Sequence, residues 1–106
     1  AHKYFDSPNF DNLEYMSYAP KVKVDTLPSI THVDGTARLQ TVTEESHSHF
    51  YELLTEFGKI SETNVLLNTS FNIRGYPILS TIKDALYALE NTEMDYVVIE
   101  DYLFEL

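Results

Sequence analysis

The chain has 106 residues, enough for one domain with a modest core, and its seven Lys and Arg against seventeen Asp and Glu give a net charge of -10. A chain this acidic repels nucleic acid and anionic membranes at long range, so neither is an expected partner. The absence of cysteine excludes disulfides, thiolate metal sites and a cysteine nucleophile, and no apolar run approaches the roughly 20 residues of a membrane span, so a soluble cytoplasmic protein is expected.

The N-terminal third is expected to form antiparallel strands. Two prolines bracket "PKVKVDTLP", Pro20 to Pro28, in which Val22 and Val24 alternate with charged residues. Proline is tolerated at a sheet edge, so this segment is predicted to be an edge strand or an extended connection.

The next two elements differ in their apolar period. "TARLQTV", beginning at Thr36, alternates as a half-buried strand does. A helix follows from about Ser46 to Gly58, with Ser46 as its cap and Gly58 as its stop. Its apolar face has helical spacing and comprises Phe50, Leu53, Leu54 and Phe57.

The C-terminal half continues the alternation. "NVLLN" is predicted to be a short buried strand, and Thr81 with Asp84 forms a capping-box-like start to a second helix. The apolar face of that helix comprises Ile82, Ala85, Leu86 and Leu89. Tyr96 to Ile99 is a third strand, and Tyr102 to Leu106 adds a fourth. Such alternation favours parallel pairing in a twisted mixed α/β sheet with at least two helices.

A polar loop follows the "NVLLN" strand, in the stretch "VLLNTSFNIRGYPI". Ligands bind at the carboxyl ends of strands in open α/β sheets, so this loop is a candidate site. If Arg38 reaches the same end, its guanidinium and the loop amides and hydroxyls suit an oxyanion. The polar loop residues are Asn68, Thr69, Ser70 and Asn72. The alternative is that they only form turns and caps.

Histidines and acidic residues are weaker candidates. His32 precedes the Asp34-Gly35 turn signal and is more typical of a packed or exposed histidine than of a catalyst. His47 and His49 are two apart, which places them on different sides of a helix, so no metal site is predicted there. The acidic pairs are typical of a solvated surface.

Two long motifs carry a family resemblance: "THVDGTARLQTV" (Thr31 to Val42) and "VLLNTSFNIRGYPI" (Val65 to Ile78). With "FYELLTEFG" between them and "DALYALENTEMDYVVI" after them, the chain resembles the C-terminal part of NodU/CmcH-type carbamoyltransferases over nearly its whole length. The resemblance implies one domain over 1-106 within a larger enzyme, with a YrdC-like fold that makes carbamoyl adenylate from carbamoyl phosphate and ATP, with Mg. It also implies an N-terminal domain with an iron site, which passes the carbamoyl group to a substrate hydroxyl.

The resemblance also implies roles for particular residues. Arg38, in "DGTAR", would bind phosphate groups, and Ser70 would act with it in catalysis. Asn68, Thr69 and Asn72 would line the same ATP and carbamoyl phosphate site, and no metal ligand is implied in this chain.

Three departures from the family's pattern keep alternatives open. Tyr76 replaces a usual Glu, Ile82 replaces a usual Pro, and the family's cationic upstream stretch would precede Ala1. The isolated 106 residues are therefore expected to be inactive. A non-catalytic module of the same fold and a relative working in tRNA threonylcarbamoyladenylate synthesis are the alternatives, and the acidity of the chain disfavours the second.

Overall fold

The computed structural model of the protein describes residues 1–7, 10 and 13–106. The chain divides into two compact units, Ala1–Leu67 and Asn68–Leu106. Within the described residues there are two α-helices and two pairs of antiparallel strands, which confirms the mixed α/β class. None of the helices found there is long and apolar enough to cross a membrane.

The first unit begins with an antiparallel pair, as predicted for the N-terminal third. Strand β1 (Phe5–Asp6) pairs with β2 (Lys21–Val22), with Phe5 opposite Val22 and Asp6 opposite Lys21. Thr36 forms an antiparallel bridge to Lys21 from the other side. The core of this unit contains Tyr4, Phe5 and Ala37, of which Phe5 is 2% exposed.

The segment 37–42 is extended but is not the regular strand predicted for it. Its alternation is as expected, because Ala37 is buried while Arg38 is exposed. Its backbone N–H groups at Ala37 and Thr41 donate to the carbonyls of Pro20 and Leu13, both at 3.0 Å. A continuous ladder does not form because Pro20 has no N–H to return and a 3-10 turn, Leu13–Tyr15, interrupts the facing segment.

Helix α1 (Ser48–Ser61) confirms the predicted helix and corrects both of its ends. Ser46 does not cap it, because the Ser46 hydroxyl accepts from the backbone N–H of Thr43 at 3.0 Å. Gly58 does not stop it either: the helix continues to Ser61 and is followed by the C-cap residue Glu62, whose φ is 61°. A Cβ on Gly58 would lie 1.8 Å from the Asn64 amide nitrogen, so the glycine provides room for that side chain. The Asn64 side chain in turn donates to the Leu54 carbonyl at 3.0 Å.

The apolar stripe of α1 is present, but no described residue of this helix is buried. Phe50 and Leu53 remain 48% and 51% exposed. The periodicity therefore predicts the helix correctly without predicting a cover for its apolar face.

The prediction of a buried strand at "NVLLN" is wrong. Val65 packs against the first core, whereas Leu67 is 62% exposed, and this segment is extended without a strand partner. Parallel pairing is also wrong for the described strands, both pairs of which are antiparallel. The strand that follows the second helix pairs with its neighbour in sequence, because closing a hairpin costs less chain entropy than a long crossover.

The second unit combines helix α2 (Ile82–Asn91) with a hairpin of β3 (Tyr96–Ile99) and β4 (Tyr102–Glu105). Ile99 lies opposite Tyr102, which leaves Glu100 and Asp101 as a two-residue loop. Ala85 and Leu89 of α2 are buried against Val97, as the predicted face requires. Ile82 departs from that face and is 60% exposed in the first turn.

The Thr81 cap on α2 confirms the capping-box prediction and gives a stability test. The Thr81 hydroxyl oxygen accepts from the Asp84 N–H at 3.1 Å. We expect Thr81→Ala to lower the free energy of unfolding by about 1 kcal/mol, and Thr81→Ser to restore most of it, in urea titrations. Equal losses in the two variants would show that the cap bond contributes nothing.

Candidate functional site

The turn before Arg38 is fixed by hydrogen bonds. The backbone N–H of His32 donates to the Thr36 carbonyl at 2.7 Å, and that of Gly35 donates to the His32 carbonyl at 2.9 Å. Gly35 has a φ of 80°, which a residue with a side chain rarely adopts. The turn therefore fixes the direction of the backbone at the start of the extended segment that contains Arg38.

Asp34 closes this turn through one carboxylate oxygen. Its Oδ1 accepts from the Thr36 hydroxyl at 2.7 Å and from the Thr36 backbone N–H at 3.0 Å. The Thr36 side-chain hydrogen bond, followed by the backbone one, lowers the pKa of Asp34 below its ordinary value. Asp34 therefore carries a negative charge that is engaged within the turn.

Arg38 follows on an extended backbone with its side chain exposed. In the part of the chain that the structure describes, the one recorded ion pair joins Lys59 to Glu56, and none involves Arg38. A guanidinium without a carboxylate partner is notable in a chain with seventeen acidic residues. Its five donors remain available to a planar or tetrahedral oxyanion.

The polar loop lies in the second unit, where Asn72 has a structural role. Its side-chain amide donates to the carbonyls of Tyr76 at 3.3 Å and Ile73 at 3.4 Å. The backbone N–H of Tyr76 donates to the Ile73 carbonyl at 2.9 Å, and Gly75 between them has a φ of 87°. Asn72 thus holds a turn that requires glycine, as the alternative interpretation of the loop proposes.

The other loop residues remain exposed: Asn68, Thr69 and Ser70. Among the described residues, no hydrogen bond is recorded for the hydroxyls of Thr69 and Ser70. Arg38 belongs to the first unit and these residues to the second, so their convergence on one pocket stays a prediction. No group of three His, Asp or Glu in the described ranges is placed to hold a metal ion.

Sequence reasoning missed the connection of His32 to this turn. Its ring Nδ1 lies 3.1 Å from the Thr36 hydroxyl. The signal was present in "HVDGT", because Asp two positions before Thr is typical of a turn closed by the Asp side chain. Considering His32 as an isolated residue hid that signal.

Comparisons with known proteins agree with the motifs. Residues 1–105 match the family described as Carbamoyltransferase C-terminus. Nodulation protein NolO of Bradyrhizobium diazoefficiens is 36% identical over 107 residues, which covers 97% of this chain and 20% of that protein. A 3'-hydroxymethylcephem-O-carbamoyltransferase of Amycolatopsis lactamdurans is 30% identical over 105 residues, covering 98% of this chain and 19% of the enzyme.

An uncharacterized protein of Synechocystis sp. is 49% identical over 77 residues, which is 73% of this chain and 12% of that protein. The chain therefore spans at most about a fifth of the length of these three relatives. The family match, by contrast, covers nearly all of the chain. This chain belongs to the carbamoyltransferase C-terminus family.

Proposed function

We propose that the chain is the C-terminal part of a larger cytoplasmic O-carbamoyltransferase and helps to form carbamoyl adenylate from carbamoyl phosphate and ATP. Family membership supports a carbamoyl-transfer role, and one relative is named as an enzyme that carbamoylates a hydroxymethyl group. The protein's own N-terminal domain would then pass the carbamoyl group to the hydroxyl of a substrate. The family resemblance implies an iron site in that domain.

The observation that carries the proposal is the exposed Arg38 guanidinium without an acidic partner among the described residues. The Asp34 turn fixes the chain two residues ahead of it, through the contacts of Thr36. Forming an adenylate places negative charge on transferring phosphoryl oxygens, so the reaction needs fixed cations and donors more than a protein nucleophile. Arg38 meets that need.

The two steps of carbamoyl adenylate formation define which ligands the site has to bind. Water opens carbamoyl phosphate to carbamate and phosphate, and a carbamate oxygen then attacks the α-phosphorus of ATP and releases pyrophosphate. Arg38 would neutralise phosphate oxygens in these steps, while Ser70 and Asn68 would orient ligand oxygens. Mg²⁺ would be bound with the ATP phosphates.

A non-catalytic module of the same fold is the second candidate. The observation that favours it is Tyr76, which is 65% exposed at the position where the family usually has Glu. A tRNA-modifying role has less support, because the net charge of -10 opposes RNA binding.

The test is carbamoyl-phosphate-dependent exchange of pyrophosphate into ATP by the full-length protein. We expect exchange in the wild type and a loss of about 10- to 100-fold in Ser70→Ala, since a hydrogen bond to a charged oxygen contributes about 1.5–3 kcal/mol. Ser17→Ala is the matched control, because Ser17 is also exposed and has no proposed role. Absence of exchange in the wild type would favour the module, and an unchanged rate in Ser70→Ala would remove Ser70 from the site.

A further inference from the structure

Lys21 shares a face of the first unit with Arg38. Side chains of directly opposed residues in an antiparallel pair project to the same side, and Lys21 is opposed by Thr36. Residues two apart on an extended chain also share a side, so Arg38 lies on the side of Thr36. The opposite side is the core, because Phe5 and Ala37 are buried there. Lys21 and Arg38 therefore both project outward.

His32 lies beside the same face, because its ring contacts the Thr36 hydroxyl. The Thr36 hydroxyl has one proton, which it donates in a hydrogen bond of 2.7 Å to Asp34 Oδ1. The contact of 3.1 Å between His32 Nδ1 and the same hydroxyl then requires the ring to donate from Nδ1. This fixes the tautomer and leaves Nε2 as the ring nitrogen that can meet a ligand.

We infer that Lys21 and His32 join Arg38 in one oxyanion-binding face that takes a phosphate group of carbamoyl phosphate or ATP. The inference rests on the proposed function for the identity of the ligand. Opposed Cα atoms lie about 5 Å apart and residues i and i+2 of a strand about 6.6 Å apart. The His32 ring contacts Thr36, which lies beside both Lys21 and Arg38, so one phosphate can reach the three side chains.

Two carboxylates also border this cationic face. Asp6 of β1 is opposed to Lys21, but the two form no ion pair among the described residues. Asp34 is engaged with Thr36 through Oδ1. Neither carboxylate therefore neutralises Lys21 or Arg38 by direct contact.

Because Nδ1 already donates to Thr36, His32 meets a bound phosphate through Nε2. The ring supplies a directional hydrogen bond, whereas Lys21 and Arg38 supply the positive charge.

The test is calorimetry of inorganic phosphate binding to the full-length protein at a pH near 7. We expect Lys21→Gln and His32→Asn each to weaken binding about 10-fold, the effect of losing one charge-assisted hydrogen bond. His32→Asn retains a donor at the Nδ1 position, so the Thr36 contact is preserved. The loss of affinity in His32→Asn therefore reports the missing Nε2 alone. His49→Gln, an exposed histidine of α1, is the control.

The outcomes separate this inference from the proposed function. Wild-type affinity in both variants would overturn the inference even if pyrophosphate exchange is present. Loss of phosphate binding in both variants without any exchange in the wild type would support the face and refute the adenylating function. The titrations are repeated with carbamoyl phosphate and with ATP. The ligand that binds more weakly to the Lys21 and His32 variants than to the wild type is the one whose phosphate the face binds.

Discussion

Replacing Arg38 with alanine is expected to reduce carbamoyl-phosphate-dependent pyrophosphate exchange by about 10²- to 10³-fold, as losing one preorganised donor to a developing charge does. The guanidinium is exposed and makes no ion pair within the described chain, so it can bind an anion without losing a contact that stabilises the fold. Arg38→Lys should recover only part of the rate, because an ammonium keeps the charge but loses the bidentate geometry. The measurement is exchange by the full-length protein at saturating ATP.

Arg74→Ala is the matched control for this prediction. Arg74 is the other arginine of the chain and is also exposed. We expect Arg74→Ala to leave the rate unchanged and both alanine variants to unfold at the wild-type urea concentration. An Arg38→Ala enzyme with the wild-type rate would remove Arg38 from the mechanism.

Replacing Phe5 with alanine is expected to have the largest effect on stability. Phe5 is 2% exposed and belongs to a core with only Tyr4 and Ala37 as further fully buried members in the described residues. Truncating a buried Phe costs about 3–5 kcal/mol, which is a large part of the 5–15 kcal/mol by which domains are usually stable. Urea unfolding of the 106-residue chain, followed by circular dichroism, measures the loss.

The control for Phe5 is Val33→Ala, since Val33 is fully solvent-exposed in the turn before Thr36. Its effect should remain within about 0.5 kcal/mol. A loss below about 1 kcal/mol for Phe5→Ala would mean that the first unit does not depend on this core. Because Phe5 pairs with Val22 next to Lys21, a large loss would also disturb the cationic face.

Local signals predicted the fold best. The Thr81 cap, the apolar face around Ala85 and Leu89, and the strand at Tyr96–Ile99 depend on residues close in sequence, and the structure contains all three. The alternation predicted for "TARLQTV" is also present, since Ala37 is buried and Arg38 is exposed, and it depends only on the two sides of an extended chain.

Features that depend on distant residues were not predictable. Gly58 has the signature of a helix stop, but the Asn64 side chain six residues later decides its role. The order of strands and helices favoured parallel pairing, yet β3 pairs antiparallel with β4, its neighbour in sequence.

The placement of Lys21, His32 and Arg38 in a chain of net charge -10 has a consequence for binding kinetics. The acidic surface repels an anionic ligand, and at physiological ionic strength this repulsion acts within about one Debye length of the surface, roughly 8 Å. Moderate salt should therefore speed association by screening the acidic surface, while it shortens the lifetime of the bound state by weakening the contacts. Because the net negative charge opposes long-range steering of an anion, capture depends on the ligand concentration.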